Sequence, residues 1–259
     1  MKKYRVIRLK PVAVIVIGLL ACACIGIAGG ILRAAPAWSP NAKHPVYSVE
    51  TENPHVSLGI NCAWGNEDIP QLLSVLDSYH IKATFFIVGE WCDKFPESVK
   101  QISEAGHEIG SHSDTHADMT RLDDAGVLRE IRASREKLER VSGKAVTLFR
   151  TPSGAYNDRV VTLIEQEGMI PVQWDLDSID YKDPSPETMR ERILKNLKNG
   201  SIMLFHSGAK NTPRALPMVI EAVTEKGYRF VGVSELVHEP PYAVDYTGRQ
   251  HKAEKSAKE

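Results

Sequence analysis

The chain has 259 residues, of which 42% are hydrophobic and 25% charged, a composition typical of a globular protein that can bury one sizeable core. The formal net charge of −1 offers no electrostatic basis for binding nucleic acid, and we exclude that class of partner. A phosphate-binding loop is also excluded, because Ser142-Gly143-Lys144 lacks the upstream glycine that such a loop requires.

The N-terminus combines a basic flank with a long uncharged segment. Residues 1–10 contain five Lys or Arg side chains, and residues 11–32 contain no charge over a length sufficient to cross a bilayer. We predict a single-pass membrane anchor at residues 11–32, with the basic flank in the cytoplasm and the rest of the chain outside. A signal peptide cleaved near Ala34-Ala35-Pro36-Ala37, which would give a secreted protein, and lipidation at Cys22 are the alternatives.

Two segments without hydrophobic periodicity border a patterned region. Residues 33–53 are rich in Pro, Ala, Ser and Asn and predict a linker, and residues 239–259 end in a charged run that predicts a disordered tail. Between them, residues 54–238 alternate short apolar runs with segments of helical spacing. The predicted strands are Val56–Ile60, Ala83–Val88, Val146–Phe149, Met169–Trp174, Ser201–Phe205 and Tyr228–Val233.

Helices are predicted at Asp68–Ser78 and Pro96–Ala105, and several helical segments end at a glycine that is followed directly by a strand, as at Ala105-Gly106. This alternation favours an α/β barrel or an open parallel sheet. Polar residues follow the strands where each one ends: Asn61, Cys62, His112, His116, Arg150, Asp177, Asp180 and His206. Because the carboxyl ends of parallel strands converge, these side chains are predicted to meet at one rim.

The spacing of His112 and His116 predicts a metal site. Two imidazoles four residues apart would project from one face of a helical turn and could share one cation, although a histidine pair supplies only part of a metal's ligands. The alternative is a pair of polar loop histidines without a ligand.

Five segments resemble the NodB-homology polysaccharide deacetylases, the carbohydrate esterase 4 family. They are Ala83-Thr-Phe-Phe-Ile-Val-Gly89, Gly106-His-Glu-Ile-Gly-Ser-His-Ser-Asp-Thr-His116, Phe149-Arg-Thr-Pro-Ser-Gly-Ala-Tyr-Asn157, Trp174-Asp-Leu-Asp-Ser-Ile-Asp-Tyr181 and Gly200-Ser-Ile-Met-Leu-Phe-His206. Residues 63–68 are most similar to the sporulation-associated branch. The resemblance implies a distorted (β/α) barrel over residues 54–238. It also implies metal-dependent removal of acetyl groups from N-acetylglucosamine in peptidoglycan or chitin-like glycans of the cell or spore envelope.

The resemblance also implies roles for individual residues. His112 and His116 match the metal histidines, with zinc the expected metal and cobalt or nickel the alternatives. His206 matches the general acid, Asp180 the carboxylate that orients it, and Arg150 the arginine that positions the catalytic base. The expected substrate-binding residues are Ser153 through its main-chain N–H, its neighbour Gly154, Tyr181 at the acetyl pocket and Trp64 as a sugar platform.

The first motif departs from the family pattern. Asn61 and Cys62 replace a pair of aspartates, and an asparagine at the base position cannot take a proton from water. Cys62 is predicted either as a thiolate ligand or as a buried small hydrophobe, and Asp68 could complete the metal site or act as the base. We therefore expect a monomeric deacetylase of reduced activity. The main alternative is a glycan-binding or envelope-assembly protein on the same fold, and an O-acetyl esterase is a weaker one.

Overall fold

The computed structural model describes residues 42–253, so the predictions for residues 1–10, residues 11–32 and Cys22 lie outside the described chain. Within residues 42–253, none of the helices has the length and apolar character that crossing a membrane requires. The strands are β1 (Ser48–Val49), β2 (His55–Cys62), β3 (Thr84–Ile87), β4 (Glu108–Ser111), β5 (Leu148–Phe149), β6 (Ile170–Pro171), β7 (Leu176–Asp177), β8 (Ile202–His206), β9 (Arg229–Phe230), β10 (Tyr242–Val244) and β11 (Arg249–Lys252).

The helices surround a parallel sheet. They are α1 (Ile69–Ser78), α2 (Gly89–Lys94), α3 (Pro96–Glu104), α4 (Asp124–Ser142), α5 (Asp158–Gln166), α6 (Pro186–Lys195), α7 (Thr212–Glu225) and α8 (Val233–Leu236). Three single turns of 3₁₀ helix lie at Met119–Arg121, Pro152–Gly154 and Asp180–Lys182.

The main sheet has eight strands in the order β6-β5-β4-β3-β2-β8-β7, with β9 paired to β2. All of its pairings are parallel, and the central strand β2 is buried along almost its whole length, as expected when helices cover both faces. The two outer strands β6 and β7 do not pair with each other. The predicted distorted barrel is therefore an open, curled parallel sheet, and its closed form is not found.

Helix α4 shows how the sequence determines where a helix begins and ends and which face it buries. The side chain of Asp123 accepts a hydrogen bond from Gly126 N–H at 2.7 Å and caps the first turn, and Gly143 ends the helix with φ of 68°. Val127, Ile131 and Leu138 lie on one face and are fully buried. Burying each of these side chains contributes roughly 1.5–3 kcal/mol, so packing of this face outweighs intrinsic helix propensity.

A second, three-stranded sheet joins the two ends of the described chain. β11 pairs in parallel with β1 and antiparallel with β10. This corrects two predictions, because part of the linker at residues 33–53 and part of the disordered tail at residues 239–259 are strands. Main-chain hydrogen bonds hold these strands, and Val49, Tyr242 and Val244 pack in or against a hydrophobic cluster. The buried Gln250 accepts from His238 N–H (2.8 Å) and donates to the His238 carbonyl (3.0 Å).

His251 makes the stability of this second sheet dependent on pH. Its ring lies between Glu50 Oε2 at 2.8 Å and Asp245 Oδ2 at 2.9 Å, and hydrogen bonds to Asp245 and Glu50 raise the pKa of His251. A raised folded-state pKa stabilises the protein below the unfolded value of about 6.5 and stops doing so as the pH rises through the folded value.

We therefore expect His251→Gln to lower the free energy of urea unfolding more at about pH 5.5 than at about pH 8.5. The matched control is His80→Asn, which replaces an exposed histidine of positive φ with a residue that tolerates this conformation. An equal difference between wild type and His251→Gln at the two pH values would contradict this assignment.

Candidate active site

One pocket of about 320 Å³ lies at the carboxyl ends of the central strands. Its lining residues are Asn61, Ala63, Trp64, His112, His116, Ser153, Trp174, Asp177, Tyr181, Leu204 and His206. The pocket thus brings together residues from the first motif and from four of the five segments that resemble the deacetylases. The convergence that the strand-end pattern predicted is observed for the three histidines, Asn61 and Asp177, which line the pocket. It is also observed for Arg150, which bonds to Asn61, and for Asp180, which bonds to His206.

The two histidines of the predicted metal pair lie on a loop after β4, and the helical turn expected for them is not found. Their ring centroids are 5.0 Å apart, and Ser113 and His116 have positive φ angles of 67° and 61°. The Nδ1–H of His112 donates to the Arg150 carbonyl at 2.8 Å. Nε2 is then the unprotonated nitrogen, and its lone pair points towards Asn61. Desolvation holds the pKa of His112 well below its ordinary value and also lowers that of His116, so both rings are neutral at pH 7.

Asn61 lies between His112 and a buried arginine. Its Oδ1 accepts from Arg150 Nη1–H at 3.0 Å, and its Nδ2 lies 3.2 Å from His112 Nε2. The guanidinium of Arg150 is fully buried, stacks 3.8 Å from the centroid of the Phe86 ring and donates to the carbonyl of Gln173 at 3.0 Å. No carboxylate pairs with it in residues 42–253, and desolvation lowers the pKa of Arg150 to about 9.

Cys62 lies outside the pocket, which corrects its prediction as a metal ligand. Strand β2 continues through Asn61 and Cys62, so their side chains point to opposite faces of the sheet. The Cys62 side chain packs in the hydrophobic core, and burial raises the pKa of its thiol to about 12, so it is protonated. Cys62 and Cys92 are both buried and free, so no disulfide joins them.

Asp68 also does not line the pocket, so its predicted role as base or metal ligand is not supported. Its Oδ2 accepts a hydrogen bond from Gly208 N–H at 2.9 Å, which ties the loop before α1 to the loop after β8. Desolvation by burial raises the pKa of Asp68. This carboxylate therefore joins two loops behind the pocket.

His206 is held by a buried carboxylate. Its Nδ1–H donates to Asp180 Oδ1 at 2.7 Å, and its main-chain N–H donates to Asp180 Oδ2 at 2.6 Å. The hydroxyl of Thr212 donates to the same Oδ2 at 2.7 Å. Asp180 is fully buried, so three donors fix its position and leave Nε2 of His206 as the ring nitrogen available to the pocket.

Three of the four predicted substrate-binding residues line the pocket, and the fourth, Gly154, does not. Trp64 and Tyr181 are both partly exposed and both contact the His206 ring, and Ser153 lines the pocket with a positive φ of 55°. Gly154 lies behind the pocket wall, where a Cβ would meet the Trp174 ring at 3.3 Å. A glycine is favoured there, because its φ is also positive, at 67°, and a Cβ would crowd the Trp174 ring.

Sequence reasoning missed three lining residues: Ala63, Trp174 and Leu204. Asp177 lines the pocket as the strand-end pattern predicted, but no role was attached to it. Ile179, directly after this strand region, has a φ of 54°, which is rare for a β-branched residue. Such backbone strain concentrates at functional sites, and only the structure reveals it.

The residues at the rim fit a metal ion only in part. His112 Nε2 and the neutral His116 ring have the protonation state that a divalent transition metal needs. A catalytic zinc usually has three protein ligands. Across residues 42–253, however, no three His, Cys, Asp or Glu side chains are arranged to hold a metal ion. The site is therefore one ligand short of that set.

Comparison with known proteins gives consistent matches. A family model for polysaccharide deacetylase matches residues 48–172. The uncharacterized protein YlxY of Bacillus subtilis (strain 168) is 33% identical over 195 residues, which cover 75% of this chain and 61% of YlxY. The chain thus spans about three fifths of that relative's length. A peptidoglycan-N-acetylglucosamine deacetylase of Bacillus cereus is 30% identical over 203 residues, covering 75% of this chain and 74% of the enzyme.

Solved structures of the CE4 family also match this chain. The crystal structure of a CE4 family pseudoenzyme from Bacillus anthracis matches with a TM-score of 0.72 and 33% identity, covering 77% of this chain and 69% of that one. A mutant of that pseudoenzyme with restored enzymatic activity matches with the same TM-score of 0.72 and 33% identity, covering 77% of this chain and 72% of the mutant.

Proposed function

Because the chain belongs to the polysaccharide deacetylase family, we propose that it removes N-acetyl groups from peptidoglycan or a chitin-like glycan at a rate limited by Asn61. Members of this family hydrolyse the amide bond of N-acetyl groups, and hydrolysis of this class is the activity proposed for this chain. The observation that carries the proposal is the pocket itself, in which three histidines and Asn61 line one cavity, with Arg150 hydrogen-bonded to Asn61 from the protein interior.

His206 is suited to protonate the leaving amine. Asp180 accepts its Nδ1–H, so its other ring nitrogen can give or take a proton within the pocket. The hydrogen bond to the buried Asp180 restrains the ring, and this keeps Nε2 as the nitrogen that exchanges protons with the pocket. The main-chain N–H of Ser153 is proposed to hold the oxygen on which negative charge develops.

Asn61 occupies the position from which a base would act on water. Arg150 holds the Asn61 side chain in place, so the orientation needed for a base is kept while the proton acceptor is absent. Losing one general base typically costs about 10²–10⁴-fold in rate, which leaves room for slow turnover.

Family members are generally dependent on a divalent metal. We propose that His112 and His116 hold such an ion weakly, with zinc the first choice and cobalt or nickel the alternatives, since only two imidazoles are available. The chemistry that a divalent ion supplies at this position is polarisation of the acetyl carbonyl.

A prediction on metal content and acetate release tests this function. The chain from residue 34 onward is expected to bind one divalent ion, to release acetate slowly from chitin or acetylated peptidoglycan oligomers when zinc, cobalt or nickel is added, and to lose both properties in His112→Ala. His55→Gln is the matched control, because His55 lies at the opposite end of β2 from the pocket. Equal metal content in wild type and His112→Ala would refute the metal site, and absence of acetate release with every metal would refute hydrolysis.

A glycan-binding protein without turnover is the second candidate. The observation that favours it is that the side chain bonded to the buried Arg150 is the neutral Asn61, which cannot act as a base. A solved structure with the same fold is that of a CE4 family pseudoenzyme. Binding of an acetylated oligosaccharide without acetate release would support this alternative.

We also propose that the domain acts outside the cytoplasm on the cell or spore envelope, as a monomer. Support comes from the basic flank at residues 1–10 and the uncharged residues 11–32, which are suited to a single-pass membrane anchor or to a signal segment.

A further inference from the structure

The loop between His112 and His116 is held by Glu130, a buried carboxylate of helix α4. Its Oε2 accepts from the main-chain N–H groups of Asp114 at 2.9 Å and Thr115 at 2.8 Å. Its Oε1 accepts from the Thr115 hydroxyl at 2.8 Å. Three hydrogen bonds from the loop therefore satisfy this carboxylate, whose burial would be costly without them.

The same loop is bonded by two further groups of the surrounding helices. Gly89 N–H, at the start of α2, donates to the Ser113 carbonyl at 2.9 Å. Glu90 N–H donates to the Asp114 carbonyl at 2.8 Å. The Lys137 Nζ of α4 lies 2.7 Å from Asp114 Oδ1. Contacts from α2 and α4 thus fix the main chain between the two histidines.

The loop needs these contacts because its backbone is strained. Ser113 and His116 both have left-handed φ angles, 67° and 61°, which are unfavourable for residues other than glycine. The Ser113 hydroxyl accepts from His116 N–H at 3.0 Å and closes the turn. In this conformation the His116 ring lines the pocket, with its centroid 5.0 Å from that of His112. A loop released from α4 would relax towards common φ angles and turn the His116 ring away.

The two imidazoles differ in what fixes them. The buried His112 ring donates to the Arg150 carbonyl, so it is held at the end of β4 independently of the loop. The His116 ring is directed by the main chain of the loop, and Glu130 binds that main chain at the two preceding residues. Loss of the Glu130 carboxylate would therefore disturb His116 more than His112.

We propose that Glu130 is a positioning residue that keeps the His116 ring beside His112, so that both imidazoles are oriented towards one cation before it binds. Within residues 42–253 no third metal-binding side chain joins this pair. Affinity for an ion then depends strongly on orientation, because a mobile pair would have to be ordered on binding at a cost in free energy. This inference rests on the proposed function, since it concerns the ion that the same site would hold.

Titration of the metal-free full chain with cobalt chloride, followed by calorimetry and by the visible absorption of the bound ion, tests this role. Glu130→Asp keeps the charge, but its side chain is one methylene too short to reach the loop. It is expected to weaken cobalt binding about 10- to 100-fold and to change the absorption spectrum, which reports ligand number and geometry. Glu130→Gln removes the charge, but its amide oxygen still accepts from both main-chain N–H groups and its NH₂ group can donate to the Thr115 hydroxyl. It should stay within about twofold of wild type with the same spectrum.

Leu138→Ala and Glu136→Ala are the matched controls on the same helix. Leu138 is buried in the core, so its truncation lowers stability without touching the loop, and Glu136 is an exposed carboxylate. Both variants should bind cobalt as wild type does. Thr115→Val removes one of the three hydrogen bonds with little change of shape, and it should weaken cobalt binding about fivefold. This variant gives the test if Glu130→Asp fails to fold.

Cobalt affinity and spectrum that are unchanged in Glu130→Asp and Thr115→Val would overturn the role of Glu130 and leave the proposed hydrolysis standing. Glu130→Gln as weak as Glu130→Asp would also overturn it, because charge would then matter and hydrogen bonding would not. The expected cobalt affinities without acetate release from any glycan would support the role of Glu130 and overturn the proposed hydrolysis. A wild type that binds no cobalt would overturn the role together with the metal site.

Discussion

Replacing Asn61 with aspartate is expected to raise the rate of acetate release from a chitin oligomer about 10²-fold in the presence of a divalent metal. The variant puts a proton acceptor at a position where Arg150 Nη1 already lies 3.0 Å from the side-chain oxygen, so the new carboxylate is held in place by an ion pair. Kinetics of acetate release for wild type and Asn61→Asp give the measurement.

The same substitution is expected to strengthen metal binding and to stabilise the fold. In the structure the Asn61 Nδ2 lies 3.2 Å from His112 Nε2, and in Asn61→Asp two acceptors would face each other there, an arrangement that a cation between them relieves. The buried Arg150 would also gain a counter-charge, which should increase the free energy of urea unfolding by about 1–3 kcal/mol.

Asn66→Asp is the matched control, because it adds the same charge nearby, at a side chain that donates to Ser98 instead of facing the pocket. It should leave the rate, the metal affinity and the buried Arg150 unaffected. If Asn61→Asp releases acetate no faster than wild type while metal is bound, Asn61 does not occupy the base position.

Asp180→Asn is expected to have the second large effect, on stability and on rate together. The carboxylate receives three hydrogen bonds at 2.6–2.7 Å, from the His206 ring, the His206 main chain and Thr212. An amide cannot accept all three without turning its NH₂ group towards one of these donors. We expect unfolding free energy to fall by about 3 kcal/mol and, in the Asn61→Asp background, acetate release to fall about 10²–10⁴-fold.

The matched control is Asp183→Asn, three residues further along the same loop. Asp183 has a positive φ of 52°, a conformation that asparagine adopts readily, so this change should alter neither rate nor stability by much. Urea denaturation followed by circular dichroism, together with the acetate assay, distinguishes the two variants. An Asp180→Asn protein as stable and as active as its background would show that the carboxylate does not hold His206.

The sequence was sufficient to predict the parallel α/β class and the meeting of distant side chains at one rim. Glycine after a helix, as at Gly106 with its φ of 81°, marks the place where each helix ends and the chain returns to the sheet. The rim followed from this, because parallel strands must all direct their carboxyl ends the same way.

The error at Cys62 has a geometric cause. The predicted strand ended at Ile60, whereas β2 continues to Cys62, so the two residues belong to a strand and alternate across the sheet. A boundary misplaced by two residues thus converts a supposed ligand into a core side chain. The helical turn predicted for His112 and His116 was wrong for another reason. Left-handed φ angles at non-glycine residues leave no local sequence signal, so the loop could not be recognised.

The tail could not be predicted because β10 is only three residues long and β11 carries no apolar alternation. Strand β11 (Arg249–Lys252) consists of polar residues, and it is ordered by hydrogen bonds to β1 and β10. Because β1 comes from the other end of the domain, no local sequence pattern predicts this strand.

That pairing of β1 with β11 also constrains the order of folding. During synthesis Ser48–Val49 emerges early, yet its parallel neighbour Arg249–Lys252 is among the last segments of the domain to leave the ribosome. One edge of this early strand can already bond to Gly200 as the main sheet assembles, so a pause or truncation near the C-terminus leaves only its β11 edge unpaired.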